Sequence, residues 1–182
     1  MKLHQLLEAL PSAQVTGNTE IDITAITADS RQVRPGALFV AYRGVATDGH
    51  KYIPEALRQG AAAVVGEREP GEQREAWNLE PFGPSPLWAK PGTPYIHVPD
   101  GRLALAQMAA AWHDFPSRKL KVIGVTGTDG KTTTCMLIQS ILQAAGHATG
   151  MVSTVSARIG DEEVDTGFHT TTPDALEMQG YL

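Results

Sequence analysis

The residues best placed to do chemistry lie in GVTGTDGKTTT, positions 124–134. Gly127 and Gly130 permit the tight turns that aim several backbone N–H groups at one anion. Thr128 and Asp129 lie between them in the loop. Lys131 adds a mobile positive charge suited to the outer phosphates of a nucleotide. Thr132 offers a hydroxyl suited to Mg²⁺. Thr133 and Thr134 are placed to reinforce the helix start or to add nucleotide contacts. The apolar run KVIGVT (121–126) in front reads as a strand, and the residues from Lys131 to about Ala145 read as a helix stopped by Gly146. Strand, glycine loop and helix N-terminus together form an anion site, because the positive end of the helix dipole faces the loop. The general phosphate-loop pattern asks for a glycine five positions before Gly130. Here that position is Val125, and Gly124 lies one residue further back. The departure weakens the match to a generic nucleotide triphosphatase but leaves a nucleotide-phosphate site. A purely structural glycine turn is the alternative.

Other reactive types are sparse. Cys135, the single cysteine, follows the loop on the first turns of the helix, where a helix N-terminus lowers a thiol pKa. No His or acid stands beside it in sequence, so a small buried hydrophobe is the simpler reading. One cysteine also excludes an intrachain disulfide framework. His4, His50, His97, His113, His147 and His169 have no zinc-ligand spacing. The acidic residues are scattered, and no pair forms a catalytic dyad in sequence.

Composition narrows the classes further. The 182 residues carry 15 Lys+Arg and 20 Asp+Glu, a net charge of -5. That balance argues against a general nucleic-acid or membrane-surface binder while permitting a local anion site. With 42% hydrophobic and 19% charged residues, the chain has the material for a core. No apolar run reaches the roughly 18 residues of a membrane span. Residues 1–11 lack the continuous apolar stretch of a signal peptide, so the expected compartment is the cytoplasm.

The elements that must position the loop read as an α/β chain. Leu3, Leu6, Leu7 and Leu10 predict a short amphipathic helix ending at Pro11. Ile21, Ile23 and Ile26 predict a half-buried strand. DSRQVRPG (29–36) is a polar turn, and LFVAY (38–42) a strand. Tyr52, Ile53, Ala56 and Leu57 form one face of a helix stopped by Gly60. AAAVV (61–65) suits a buried parallel strand, and YIHV (95–98) is a short strand candidate. Arg102 to Trp112 is a helix with Leu103, Leu105, Ala106, Ala109 and Ala110 available for packing. The proline- and glycine-rich stretch 69–94 reads as an insertion, with Trp77, Phe82 and Trp88 to pin it. FPSRKL (115–120) reads as a linker. The predicted organisation is a first domain over 1–118 and a second beginning at 119–182. In the second, MVSTV (151–155) is a strand, which the resemblance described below would place in a partial parallel sheet, and 156–170 a turn between short strands.

Three separated segments then resemble one family in order. Residues 28–65, ADSRQVRPGALFVAYRGVATDGHKYIPEALRQGAAAVV, are similar to the N-terminal substrate domain of the Mur ligases of peptidoglycan synthesis. GVTGTDGKTTT resembles their ATP loop. HTTTPD (169–174) resembles the threonine-rich substrate motif of the member that adds the third amino acid. The resemblance covers most of the chain outside 69–94. It implies a UDP-sugar-binding domain followed by the start of a phosphate-loop central ATPase domain. It implies that Ser30 contacts the uridine part, with Asp29 and Arg31 shaping the turn, and that Asp48, Gly49 and His50 border the same site. Thr170, Thr171 and Thr172 would grip the muramoyl-dipeptide portion, and Lys131 and Thr132 would face ATP and magnesium. The implied partners are UDP-N-acetylmuramoyl-L-alanyl-D-glutamate and a diamino acid, meso-diaminopimelate or L-lysine, with neither nucleic acid nor membrane. The implied reaction is phosphorylation of the D-glutamate-side carboxylate by ATP, then displacement of phosphate by an amine.

Simpler readings stand beside these roles. Asp29 and Ser30 suit a turn cap, His50 a helix cap or a surface position, and 170–172 an ordinary strand or turn before Pro173. Family proteins are far longer than 182 residues, so the expectation for this chain alone is no complete turnover. A non-catalytic UDP-sugar-binding module, the ligase adding the terminal D-Ala-D-Ala dipeptide, and an unrelated phosphate-loop enzyme are the alternatives.

Overall fold

Short apolar runs set between turns become the strands of a five-stranded sheet in a computed structural model of the chain. The structure describes residues 1–45, 47–69, 92–153, 157–159, 162–164 and 174–182. They form two compact units, Met1–Trp112 and His113–Leu182.

In the first unit the strands are β1 (Gln14–Thr16), β2 (Ala25–Thr27), β3 (Ala37–Val40), β4 (Ala63–Gly66) and β5 (Tyr95–His97). Their order across the sheet is β1-β5-β4-β3-β2. The strands β2 to β5 run parallel, and β1 closes the far edge antiparallel to β5. Strands β3 and β4 are buried along their whole length. That is why they read as unbroken apolar runs rather than as alternation. The helix α2 (Ile53–Arg58) packs Ile53, Ala56 and Leu57 into one core with Ala37, Phe39, Ala41 and Val64. By the two-residue repeat of a strand, Leu38 and Val40 face the other side. The helices α1 (Leu3–Leu7) and α3 (Gly101–Trp112) pack on each other. Gly60, at φ +100°, ends α2 in the left-handed conformation that glycine adopts at least cost.

Three expectations for this unit need correction. The strand expected around Ile21 and Ile23 begins only at Ala25. The reason is local: Ile23 N donates to Met1 O, Leu3 N donates to Ile21 O, and Lys2 pairs with Asp22, so the N-terminus holds this segment instead of β3. On α3 the buried stripe is Ala104, Leu105, Met108, Ala109 and Ala111, while Leu103 is 56% exposed and Ala106 is also exposed. Tyr52, expected on the apolar face of α2, is 43% exposed. Most of the expected insertion, with Trp77, Phe82 and Trp88, lies outside the described residues.

The second unit contains α4 (Lys131–Ala144), the strands β6 (Gly150–Val152), β7 (Ala157–Ile159) and β8 (Glu162–Val164), and α5 (Ala175–Tyr181). Gly146, at φ +83°, follows α4 as anticipated. The sheet is an antiparallel meander, β6-β7-β8, not a piece of parallel sheet. Residues 121–126, expected as a strand, join no ladder among the described residues. A strand needs a neighbour to satisfy its backbone, and β6 is paired to β7 instead. Val122 and Ile123 are accordingly exposed, as are Met136, Leu137 and Ile141 on α4. No helix among the described residues is long and apolar enough to cross a membrane.

Candidate functional site

Because β2, β3, β4 and β5 are parallel, the turns that leave them gather at one edge of the sheet. Ligands of open α/β sheets bind at that carboxyl edge. The DSR and DGH turns both lie there, after β2 and β3.

After β2, a short 3₁₀ turn spans Ser30–Gln32. Asp29 caps it: its Oδ1 accepts from Arg31 N at 3.0 Å. The same carboxylate accepts from Arg31 Nε at 2.9 Å and Nη2 at 2.7 Å. Those side-chain bonds from Arg31, against the opposing effect of burial, hold the Asp29 carboxyl below the usual carboxylate range. Behind it, Thr27 Oγ1 accepts from Asp29 N at 3.0 Å. The turn is thus fixed from both sides, and it presents Ser30, 9% exposed, between them.

After β3 the chain doubles back. Arg43 bridges Asp48, Gly44 N donates to Thr47 O at 2.8 Å, and Gly49 N donates to Tyr42 O at 2.9 Å. A Cβ on Gly49 would stand 2.8 Å from Tyr42 O, so this close approach requires glycine. Asp48 then caps a second 3₁₀ turn, Gly49–Tyr52. Its Oδ1 accepts from His50 N at 3.0 Å and from the His50 ring at Nδ1, 2.6 Å away. Its Oδ2 accepts from Arg68 Nη2 at 2.7 Å. Burial pushes the Asp48 carboxyl up, but the bonds from the His50 ring, the His50 backbone and Arg68 outweigh it and take the pKa down to about 2.

His50 is 4% exposed. Its Nε2 accepts from Glu67 N at 2.9 Å. An acceptor Nε2 carries no proton, so the ring is the neutral Nδ1–H tautomer donating to Asp48. Both nitrogens are therefore engaged inside the protein. Gly66 makes room for this ring: a Cβ there would stand 2.3 Å from Tyr95 Oη and 3.2 Å from His50 Nε2. Glu67 and Arg68, just after β4, are the residues that sequence reading missed. Their partners lie 17 and 20 positions away, so no local pattern announces them.

The glycine loop belongs to the second unit. Gly130, at φ +76°, is the N-cap of α4 and offers no side-chain cap. The first backbone N–H groups of this 14-residue helix are thus left without a capping side chain, and no acidic residue occupies its first turn. Gly127 adopts φ +155°, and a Cβ on Gly124 or Gly130 would meet nothing within 4 Å. Lys131 Nζ folds back onto Gly127 O at 2.7 Å and Thr128 O at 3.1 Å. An ammonium resting on two carbonyls at an uncapped helix N-terminus fits a phosphate group, which both would attract. Thr128, Asp129 and Thr133 are exposed around it, and Thr132 is half-buried. The chemistry suits Mg²⁺ through Thr132 only if phosphate and water supply most of the octahedral oxygens. Among the described residues no group of three His, Cys, Asp or Glu is placed to hold a metal ion. Cys135 is half-buried. Thr170, Thr171 and Thr172 lie outside the described residues.

Comparison with known proteins bears on both units. Residues 22–113 match the model of the Mur ligase family, catalytic domain, and residues 125–182 that of the Mur ligase middle domain. The chain belongs to the Mur ligase family. The UDP-N-acetylmuramyl-tripeptide synthetase of Roseiflexus sp. (strain RS-1) is 44% identical over 183 residues, which is 100% of this chain and 33% of that relative. The UDP-N-acetylmuramoyl-L-alanyl-D-glutamate–2,6-diaminopimelate ligase of Bacteroides fragilis is 38% identical over 182 residues, 100% of this chain and 34% of the relative. A solved structure of a UDP-N-acetylmuramoyl-L-alanyl-D-glutamate–2,6-diaminopimelate ligase shares the fold. It superposes with a TM-score of 0.66 at 22% identity, covering 100% of this chain and 32% of that one. The chain spans about a third of the length of these curated Mur ligases.

Proposed function

We propose that this chain supplies the nucleotide-sugar site and the ATP loop of a ligase that adds a diamino acid to UDP-N-acetylmuramoyl-L-alanyl-D-glutamate. The observation that carries the reading is the pair of carboxylate-capped turns, DSR and DGH, side by side at the carboxyl edge of the parallel sheet. In this reading residues 1–118 bind the UDP-sugar and residues 119–182 begin the ATP-binding domain. Ser30 offers its hydroxyl to the uridine part, with Asp29 and Arg31 holding the turn. Asp48 and His50 act on the substrate through the shape of their turn, because the His50 nitrogens are both engaged. Thr170, Thr171 and Thr172 contribute hydroxyls to the muramoyl-dipeptide portion.

Gly127, Thr128, Asp129, Gly130, Lys131, Thr132 and Thr133 hold ATP, with Mg²⁺ on Thr132. When bound, ATP supplies the phosphoryl group that activates the substrate carboxylate toward an amine. Lys131 leaves the two loop carbonyls to neutralise phosphate charge as that carboxylate approaches. Binding of the nucleotide-sugar and of ATP is the activity expected of these 182 residues, which span about a third of the relatives' length. The setting is cytoplasmic, and the incoming amino acid is meso-diaminopimelate or L-lysine. Amide chemical shifts test the division of labour. Uridine diphosphate should move residues 27–31 and 47–50, and a non-hydrolysable ATP analogue residues 127–134. Crossed or absent responses would overturn the assignment.

A further inference from the structure

Glu67 stands immediately after β4, half-buried at the carboxyl edge of the sheet. It forms no ion pair among the described residues. Instead its two carboxylate oxygens accept backbone N–H groups from two different segments. Oε2 accepts from Arg43 N at 3.0 Å, and Oε1 from Gly101 N at 2.9 Å. Its own backbone N–H donates to His50 Nε2 at 2.9 Å. One residue thus ties the turn after β3, the turn after β4 and the first residue of α3. Arg43 is itself bridged to Asp48, so the tie reaches the DGH turn from both ends.

The chemistry explains the residue type. A carboxylate accepts at both oxygens, whereas a glutamine amide accepts at one and turns a donor toward the other N–H. The Gly101 bond also places negative charge at the N-terminus of a 12-residue helix, where the dipole favours it. The three segments approach closely here. A Cβ on Gly101 would stand 2.7 Å from Tyr42 Cβ.

We propose that Glu67 is a positioning residue for the nucleotide-sugar site: its carboxylate fixes Arg43 and the head of α3 so that the DGH turn is ordered before ligand arrives. This rests on the functional reading above. Preordering removes a cost of binding, so loosening the turn weakens affinity without removing any atom that touches ligand.

The test uses the whole chain with Glu67→Gln, Glu67→Asp (one methylene too short to reach both N–H groups) and Glu69→Gln as control. Hydrogen exchange without ligand should show residues 47–50, and at least one of the amides of Arg43 and Gly101, exchanging at least about ten-fold faster in both Glu67 variants. Amides of β3 and β4 should keep their protection, and circular dichroism should report a folded chain. Calorimetric affinity for UDP-N-acetylmuramoyl-L-alanyl-D-glutamate should fall about ten-fold or more, with affinity for an ATP analogue unchanged. Glu69→Gln should match wild type in both. Unchanged exchange overturns the tie, whatever the ligand does. Faster exchange with unchanged affinity overturns the positioning role. A wild-type chain that ignores the nucleotide-sugar refutes the functional reading, and the positioning role with it, while exchange still decides the tie.

Discussion

Replacing Asp48 by asparagine isolates one charge in the site. Asparagine keeps an oxygen for His50 N and for the His50 Nδ1–H, so the cap survives in shape. What goes is the negative charge that strengthens the bonds from the His50 ring, the His50 N–H and Arg68, the last at 2.7 Å. The carboxyl is lowered from 3.8 to about 2 in the folded chain. At about 1.4 kcal/mol per unit, that difference corresponds to on the order of 2 kcal/mol of stability. The side chain is 22% exposed at the rim of the sheet, so solvent screening trims this to roughly 1–2 kcal/mol. A lowered folded-state pKa stabilises the fold above the unfolded value and loses that contribution as pH falls toward the folded value. Wild type should therefore exceed Asp48→Asn by about 1–2 kcal/mol at pH 7, with a midpoint roughly 4–8 °C higher. The gap should shrink as pH drops through 3.8 and be nearly closed at about 2. Urea unfolding at a series of pH values, followed by circular dichroism, reads it directly. A gap of the same size at low and neutral pH would show that the charge is not the stabilising feature.

Two further outcomes follow from the same geometry. Lys131→Ala should weaken binding of a non-hydrolysable ATP analogue at least about ten-fold by titration, and leave the melting of the first unit unchanged. Gly66→Ala should cost about 1–3 kcal/mol in urea unfolding, because its methyl would stand 2.3 Å from Tyr95 Oη beside the His50 ring. A tolerated alanine would mean that Tyr95 and His50 are not locked together.

Sequence patterns revealed elements whose signal is local. The central strands β3 and β4 are announced by apolar runs, α3 by its length, and α4 by the glycine loop in front and Gly146 behind. The family was legible in DSR, DGH and GTDGKT. The edge strand β1 was not, because Gln14, Val15 and Thr16 are all exposed and carry no burial pattern. Ile23 misled because burial, 2% exposed, came from the N-terminal segment rather than from a ladder. Residues 121–126 look like a strand by composition, but a strand also requires a partner. Glu67 escaped notice for a different reason. Its three bonds join residues 17, 24 and 34 positions apart, and a lone glutamate after a strand looks like ordinary surface.

Calorimetric titration of the 182-residue chain with UDP-N-acetylmuramoyl-L-alanyl-D-glutamate, repeated with Ser30→Ala, tests the central claim most directly. Saturable one-site binding to the chain is expected, with an affinity lower by about five-fold or more in the variant, as for a lost hydrogen bond. A folded wild-type chain that gives no binding heat across several temperatures, or equal affinities for the two proteins, would contradict it.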